Sequence, residues 1–284
     1  MLEAEIKNKI KIAHSVDADD AFMFYALSRN IITSINIQVE HILKDIQTLN
    51  TDALNNVYDV QAISFFAYPD IEDRYQLLSC GGSLGYGYGP MLIAKKGTQL
   101  KDIVNKKIVI PGKKTTAYLL LKLYLKDFEA EILPFDEIVS AVSDGKYEAG
   151  LIIHEAQLSY VKFNLQCLVD LGKWWLDETS LPVPLGANVI RRSFNEDLKK
   201  EVNSMIRESI KYALENKNEV VKNVTKYARD IKNDTQLVDR FIEMYVNKYS
   251  IDYGFEGKVA IETLYKRAYE ARLIAKIPKL DFVE

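Results

Sequence analysis

The chain has 284 residues, 48% hydrophobic and 27% charged, with a formal net charge of −3, enough for one large domain or two modest ones with ample core. This balance leaves no basic footprint for nucleic acid and no basic amphipathic segment for a membrane surface. No apolar run reaches transmembrane length, and residues 1–11 lack the apolar centre of a signal peptide, so a cytoplasmic protein is expected.

Residues 9–13 alternate charge with Ile and Ala and predict a first strand. His14-Ser15-Val16-Asp17-Ala18-Asp19-Asp20 follows, then a helical run over 21–27 with Ser15 or an aspartate expected as its cap. One reading sets His14 and Ser15 in a cleft beside the helix's free N–H groups. The plainer one makes the aspartates charge that offsets the helix dipole. Ser15 is kept as a candidate ligand contact and the aspartates as mostly structural.

Residues 36–40 predict a second strand, 45–56 a helix and 59–64 a third strand ending on Ser64. Strand–helix–strand–helix–strand order predicts a mostly parallel sheet. Five of the thirteen glycines then fall between Gly81 and Gly89, so the backbone there turns tightly or approaches something closely. It is not a dinucleotide fingerprint, because Pro90 stands at the third glycine position counted from Gly85. The stretch reads both as a turn between domains and as a segment that brings Ser83 and backbone N–H groups to a ligand.

Residues 91–95 look like a strand that carries the chain elsewhere. The run Ile108-Val109-Ile110-Pro111-Gly112-Lys113-Lys114-Thr115-Thr116 then opens a helix over 117–127. A Walker A reading fails twice, at Lys107 and at Lys114. What remains is a helix N-terminus with two hydroxyls, Thr115 and Thr116, and two nearby ammonium groups, which suits a carboxylate better than a triphosphate. Capping threonines with solvated lysines would explain only part of that set.

A short strand is expected over 131–133, a helix over 135–143, and a strand over 147–153 that delivers His154. A histidine just past the carboxyl end of an α/β strand sits on the edge where ligands bind. Its side chain also titrates in the range that suits proton transfer near neutral pH. The plain alternative is a strand-capping ring bonded to a carbonyl. Another strand is expected over 167–171. Trp174 and Trp175 read as core, or as a wall for an aromatic ligand. Pro182 and Pro184 fix an extended crossing over 181–186, a strand follows over 187–190, and four helices fill 195–215, 218–229, 236–246 and 256–271.

Cys80 and Cys167 lie far apart and read as buried thiols, and the histidines at 14, 41 and 154 form no ligand spacing. No metal and no cofactor is expected. The crossings near residues 89–95 and 181–190 predict an α/β protein of two lobes with a ligand cleft between them: 1–92 with 188–284 as the larger split lobe, and 93–187 as the smaller one.

Five motifs in register resemble the 1,4-dihydroxy-6-naphthoate synthases, menaquinone-pathway enzymes of the futalosine route. They are Ala13-His14-Ser15 with Asp19-Asp20-Ala21-Phe22; Gly81-Gly82-Ser83-Leu84-Gly85 with Gly89-Pro90; Pro111-Gly112 with Thr115-Thr116-Ala117-Tyr118; Gly150-Leu151-Ile152-Ile153-His154-Glu155; and Asp170-Leu171-Gly172-Lys173-Trp174-Trp175 with Leu181-Pro182-Val183-Pro184-Leu185-Gly186. Val16 departs from the proline that many relatives carry. The resemblance implies a periplasmic-binding-protein-like type II fold used as a cytoplasmic lyase that converts cyclic dehypoxanthine futalosine to 1,4-dihydroxy-6-naphthoate. It implies His154 as general base, with Ser64, Thr115 and Thr116 contacting a substrate that bears an aromatic carboxylate. Ser15 and Ser83 join these as contacts on the residue reading. Glu155 or a backbone carbonyl is expected to set the His154 tautomer. A small-molecule binding or sensor protein of the same fold, or a chorismate dehydratase-like sister enzyme, is the alternative; oligomeric state is left open.

Overall fold

The computed structural model describes residues 8–284; the first seven residues, at the start of the expected unit 1–92, lie outside the described residues. Twelve strands are present among the described residues: β1 Asn8–His14, β2 Ile37–Leu43, β3 Val60–Ser64, β4 Tyr75–Leu78, β5 Ser83–Gly85, β6 Met91–Lys95, β7 Lys107–Ile110, β8 Glu129–Ile132, β9 Ala149–Ile152, β10 Leu165–Asp170, β11 Val183–Arg191 and β12 Phe282–Val283. They make two sheets. The first runs β12-β4-β11-β3-β1-β2, with β5 also paired to β11; the second runs β10-β6-β9-β7-β8. β5 belongs to the first sheet and β6 to the second, so the chain changes sheets over residues 86–90. It changes back between β10 and β11.

Both sheets mix directions. β1 is parallel to β2 and β3, whereas β11 runs antiparallel to β3, β4 and β5. β7 is parallel to β8 and β9, whereas β6 runs antiparallel to β9 and β10. The strands after each change of sheet reverse the parallel order that the first three set up. Every residue of β3, β4 and β9 is buried, as expected for strands covered on both faces.

Local chemistry sets the helix ends. Asp45 caps the helix Ile46–Leu54 by accepting from Thr48 N at 3.0 Å, and Asn195 caps Glu196–Glu215 by accepting from Leu198 N at 2.8 Å. The run expected as one helix over 21–27 is two short ones, Ala18–Met23 and Tyr25–Ser28. They meet at Phe24, whose buried ring stacks on His14 with centroids 4.2 Å apart. Asp170 caps a further helix, Leu171–Thr179, by accepting from Gly172 N and Lys173 N. That helix buries Trp175, whose indole N–H donates to Pro182 O at 3.1 Å. Trp175 is therefore core, half-buried Trp174 packs against it, and neither lines the cleft described below. The expected crossing over 181–186 and the strand over 187–190 are one strand, β11. Pro184 sits at the irregularity in its pairing with β5, where a missing N–H is tolerated. Cys80 is fully buried, and burial pushes its thiol up to about 12; Cys167 is only partly buried.

His14 ends β1 in the interior. Its Nδ1 lies 3.0 Å from Ser15 O, and its Nε2 lies 3.2 Å from Nδ1 of His41. Burial, with His41 alongside, lowers its pKa to about 3, against a weaker opposing pull from the Ser15 carbonyl. The unfolded chain therefore binds a proton that the folded chain refuses between pH 6.5 and 3, and stability is lost as pH falls through that window. Replacing His14→Gln should narrow the difference between urea unfolding free energies at pH 7 and pH 5. An unchanged difference would remove His14 from the acid response.

Candidate active site

Six residues singled out from the sequence, Ser15, Ser64, Ser83, Thr115, Thr116 and His154, line one cleft with an empty volume of about 680 Å³ including its open mouth. That size suits a small molecule. The cleft takes Ser15, Ser64 and Ser83 from the first sheet and its loops, and Thr115, Thr116 and His154 from segments that follow β7 and β9 of the second.

Ser64 closes β3. Its N–H donates to Asn50 Oδ1 at 2.8 Å, while Asn50 Nδ2 donates to its hydroxyl oxygen at 3.0 Å and lies 3.4 Å from Lys114 O. Asn50 is fully buried and ties the helix Ile46–Leu54 to the end of β3 and to the loop before Thr115. Nothing in the sequence separates it from an ordinary polar helix residue. Replacing Asn50→Ala leaves the Ser64 N–H without its acceptor, so a loss of about 1–2 kcal/mol in stability is expected. A rise in KM of about tenfold should accompany it if the hydroxyl must be held to meet substrate, whereas an unchanged KM would show that Ser64 needs no such support.

Thr115 is the N-cap of the helix Thr116–Tyr124. It accepts from Tyr118 N at 3.2 Å and donates to Gly112 O at 2.8 Å. The Thr116 hydroxyl donates to Leu185 O at 2.7 Å and accepts from Phe66 N at 3.3 Å. Both hydroxyls are thus engaged by backbone, and Thr116 ties this helix to β11. The helix's first-turn N–H groups have no acceptor within the helix and form the positive end of its dipole. Lys114 pairs with Asp70 outside this terminus.

His154 follows β9 with φ of +55°, a left-handed backbone. Its side chain is 12% exposed, and its Nε2 lies 3.4 Å from Asp17 Oδ2. The ring sits 5.1 Å from that of Phe135 and 6.4 Å from that of Tyr245. Asp17 occupies the N-cap position of Ala18–Met23, but its side chain accepts no helix N–H there. Its carboxylate instead accepts the Ser15 hydroxyl proton on Oδ2 and lies 3.5 Å from the Arg229 guanidinium on Oδ1.

The aspartates are therefore not solvated charge at a helix start. Asp17, Asp19 and Asp20 are all buried, and Asp19 and Asp20 line the cleft. Asp20 accepts from Ser15 N, yet burial raises its carboxyl to about 7, with Asp17 adding to the rise. Burial and the neighbouring Asp20 hold the Asp19 carboxyl well above the usual range, partly opposed by His154. Burial thus favours the protonated form of both carboxyls relative to their ordinary state. The D-x-D-D spacing was visible in the sequence, but its direction was not. Tyr245, whose hydroxyl oxygen accepts from Gln157 Nε2 at 2.5 Å, gave no sequence signal; burial and Asp19 push its phenol far up.

Asp17, Asp19 and His154 bring one ligand-type atom each to within 4.8 Å of one another. Carboxylates and an imidazole could in general hold a divalent cation. Here the Asp17 carboxylate already faces the Arg229 cation and the Ser15 hydroxyl, which fits a charge network better than a second cation.

No helix among the described residues is long and apolar enough to cross a membrane. A family model described as menaquinone biosynthesis matches residues 10–270. The chain is 35% identical to the 1,4-dihydroxy-6-naphthoate synthase of Thermus thermophilus, covering 96% of this chain and 99% of that one. It is 33% identical to the enzyme of the same name from Streptomyces coelicolor, covering 93% and 94%. A solved protein of Archaeoglobus fulgidus superposes with a TM-score of 0.89 at 43% identity, covering 94% of this chain and 98% of that one. The periplasmic aliphatic sulphonate binding protein of Escherichia coli superposes at 0.66 with 11% identity, covering 97% and 94%, and so shares the fold. The protein thus has a periplasmic-binding-protein-like α/β fold, and it belongs to the menaquinone biosynthesis family of enzymes.

Proposed function

We propose that the chain is a carbon–carbon lyase that converts cyclic dehypoxanthine futalosine to 1,4-dihydroxy-6-naphthoate in the cytoplasm, with His154 as general base and no metal. The observation that carries this reading is that His154 lines one cleft together with Ser64, Ser83 and the helix terminus at Thr116. The names of the two synthases at 33% and 35% identity supply the reaction.

The chemistry asks little of the protein. His154 takes a proton from a hydroxyl or acidic carbon of the substrate. The electron pair left behind breaks the carbon–carbon bond to the sugar-derived part, and formation of the aromatic ring drives that step. The benzoate carboxylate lies at the first turn of Thr116–Tyr124, where N–H groups and dipole favour an anion. Ser64 and Ser83 meet the polar groups of the cyclised part. Lobes made of residues 1–92 with 188–284 and of residues 93–187 close on the substrate and exclude water from the intermediate.

Cyclic dehypoxanthine futalosine given to the purified protein should yield naphthoate by mass. Substrate bound but unchanged would favour a binding or sensor protein of this fold. Turnover of a chorismate-type substrate instead would favour the sister dehydratase.

A further inference from the structure

We infer that Asp17 is the residue that positions His154, so that the base is assembled from two sheets across the cleft. This rests on the reading of His154 as base. Asp17 follows β1 of the first sheet, and His154 follows β9 of the second. Their Nε2–Oδ2 separation of 3.4 Å is an ion-pair distance, slightly longer than a hydrogen bond. Catalytic hydrogen bonds are often long without substrate and tighten in the complex.

The surrounding contacts give Asp17 this role. The Ser15 hydroxyl donates to the same Oδ2 that faces His154, fixing the plane of the carboxylate. Arg229 lies 3.5 Å from the other oxygen, Oδ1, and reaches Asp136 at 3.6 Å. The Arg229 guanidinium also stacks 4.1 Å above the Phe135 ring, which in turn lies against His154. Arg229 thereby contacts the carboxylate while Phe135, stacked on its guanidinium, contacts the imidazole. A buried carboxylate facing one ring nitrogen selects the tautomer that carries its proton there. With Nε2–H donating to Asp17, the lone pair sits on Nδ1. That nitrogen accepts the substrate proton, and the resulting imidazolium rests against the Asp17 charge. Ser15 on this assignment acts through Asp17 rather than by touching substrate.

Among the described residues, the charged and titratable groups around the imidazole are Asp17, Asp19 and Tyr245, with Arg229 paired to Asp17, Glu155 next in the chain and Asp20 beside Asp19. Two of them give opposite signs when removed. Asp17→Asn takes away a negative charge beside His154, so the acid limb of the kcat/KM profile should move to lower pH by about one unit. It should lower kcat by about 10²–10⁴-fold with KM changed little, because the wrong tautomer is favoured. Arg229→Gln takes away a positive charge, so its acid limb should move to higher pH by a smaller amount, with a modest loss in kcat. Asp17→Glu should recover part of the rate.

The assay uses the full chain, with product binding and thermal melts confirming the fold of each variant. If Asp17→Asn does not fold, the direction of the Arg229→Gln shift decides the matter. Native-like kcat and an unmoved acid limb in these variants, beside an inactive His154→Asn, would overturn the inference and leave the base standing. An active His154→Asn would instead overturn the base itself. Activity lost to a chelator and restored by Mn²⁺ or Zn²⁺ would make Asp17 a metal ligand and overturn its positioning role.

Discussion

Replacing His154→Asn should lower kcat by about 10²–10⁴-fold, the usual contribution of a positioned general base, while 1,4-dihydroxy-6-naphthoate still binds. The choice of asparagine follows from the backbone. His154 has φ of +55°, a region where alanine costs about 1–2 kcal/mol and asparagine is tolerated. His154→Ala therefore confounds lost chemistry with a strained turn at the end of β9, and should show a lowered melting temperature as well as lost turnover. His154→Asn should keep the melting temperature and lose only the rate. Turnover within tenfold of the native protein in His154→Asn, measured as naphthoate formed by mass, would take the base role away from this residue. The strained position itself has a physical reading: the left-handed residue lets the chain leave β9 and turn at once into the Ala156–Ser159 helix, aiming the ring toward Asp17.

The second large effect is on folding. A Cβ built on Gly172 would lie 2.0 Å from both the carbonyl carbon and oxygen of Tyr88 and 2.3 Å from Gly89 N. These are backbone atoms, so no rotamer relieves the overlap. The first turn of Leu171–Thr179 packs on the segment where the chain passes between sheets, and Leu171 N donates to Pro90 O at 2.9 Å at the same place. Gly172→Ala must push that segment away from the helix, and Pro90 lines the cleft. A loss of about 3–5 kcal/mol is expected, in the range of severe overpacking. At about 2–4 °C per kcal/mol this lowers the melting temperature by roughly 6–20 °C. A calorimetric scan with a change under 3 °C would show that the segment yields easily.

The pH responses of the interior oppose one another. Asp20, raised to about 7, is protonated in the fold where the unfolded chain is ionised, so it favours the folded state below that pH and loses the advantage as pH rises through 7. His14, lowered to about 3, works in the other direction between pH 6.5 and 3. Single variants separate the two where a pH melt of the native chain would show only their difference.

Much of the fold was legible in the sequence because buried strands and capped helices carry local signatures. The apolar runs of β3, β7 and β9, the helix starts at Asp45 and Asn195, and the capping threonine at 115 were readable from short windows. β4 and β12 were not. Tyr75-Gln76-Leu77-Leu78 is brief, and Phe282-Val283 becomes a strand only by pairing with it, an end held in place by Arg192 bonds to Asp281 at 2.6 and 2.7 Å. The helix that buries Trp175 was missed because a two-tryptophan run has no periodicity of its own.

Sequence by itself determined the two-part alternation of strands and helices, the family, and the strand-end and helix-end positions of Ser64, Thr115, Thr116 and His154. The strand-end and helix-end positions follow from residue type and spacing within a few positions, and the family from the resemblance of five motifs in register. Only the tertiary structure decided what those side chains meet. It turned the expected dipole-compensating aspartates inward, gave Asp17 to His154 and Arg229 across more than a hundred residues of chain, placed Asn50 behind Ser64, and spent the threonine hydroxyls on backbone carbonyls. The direction of a carboxylate depends on which charges and donors the fold brings within a few ångströms, and a one-dimensional pattern carries no record of that distance.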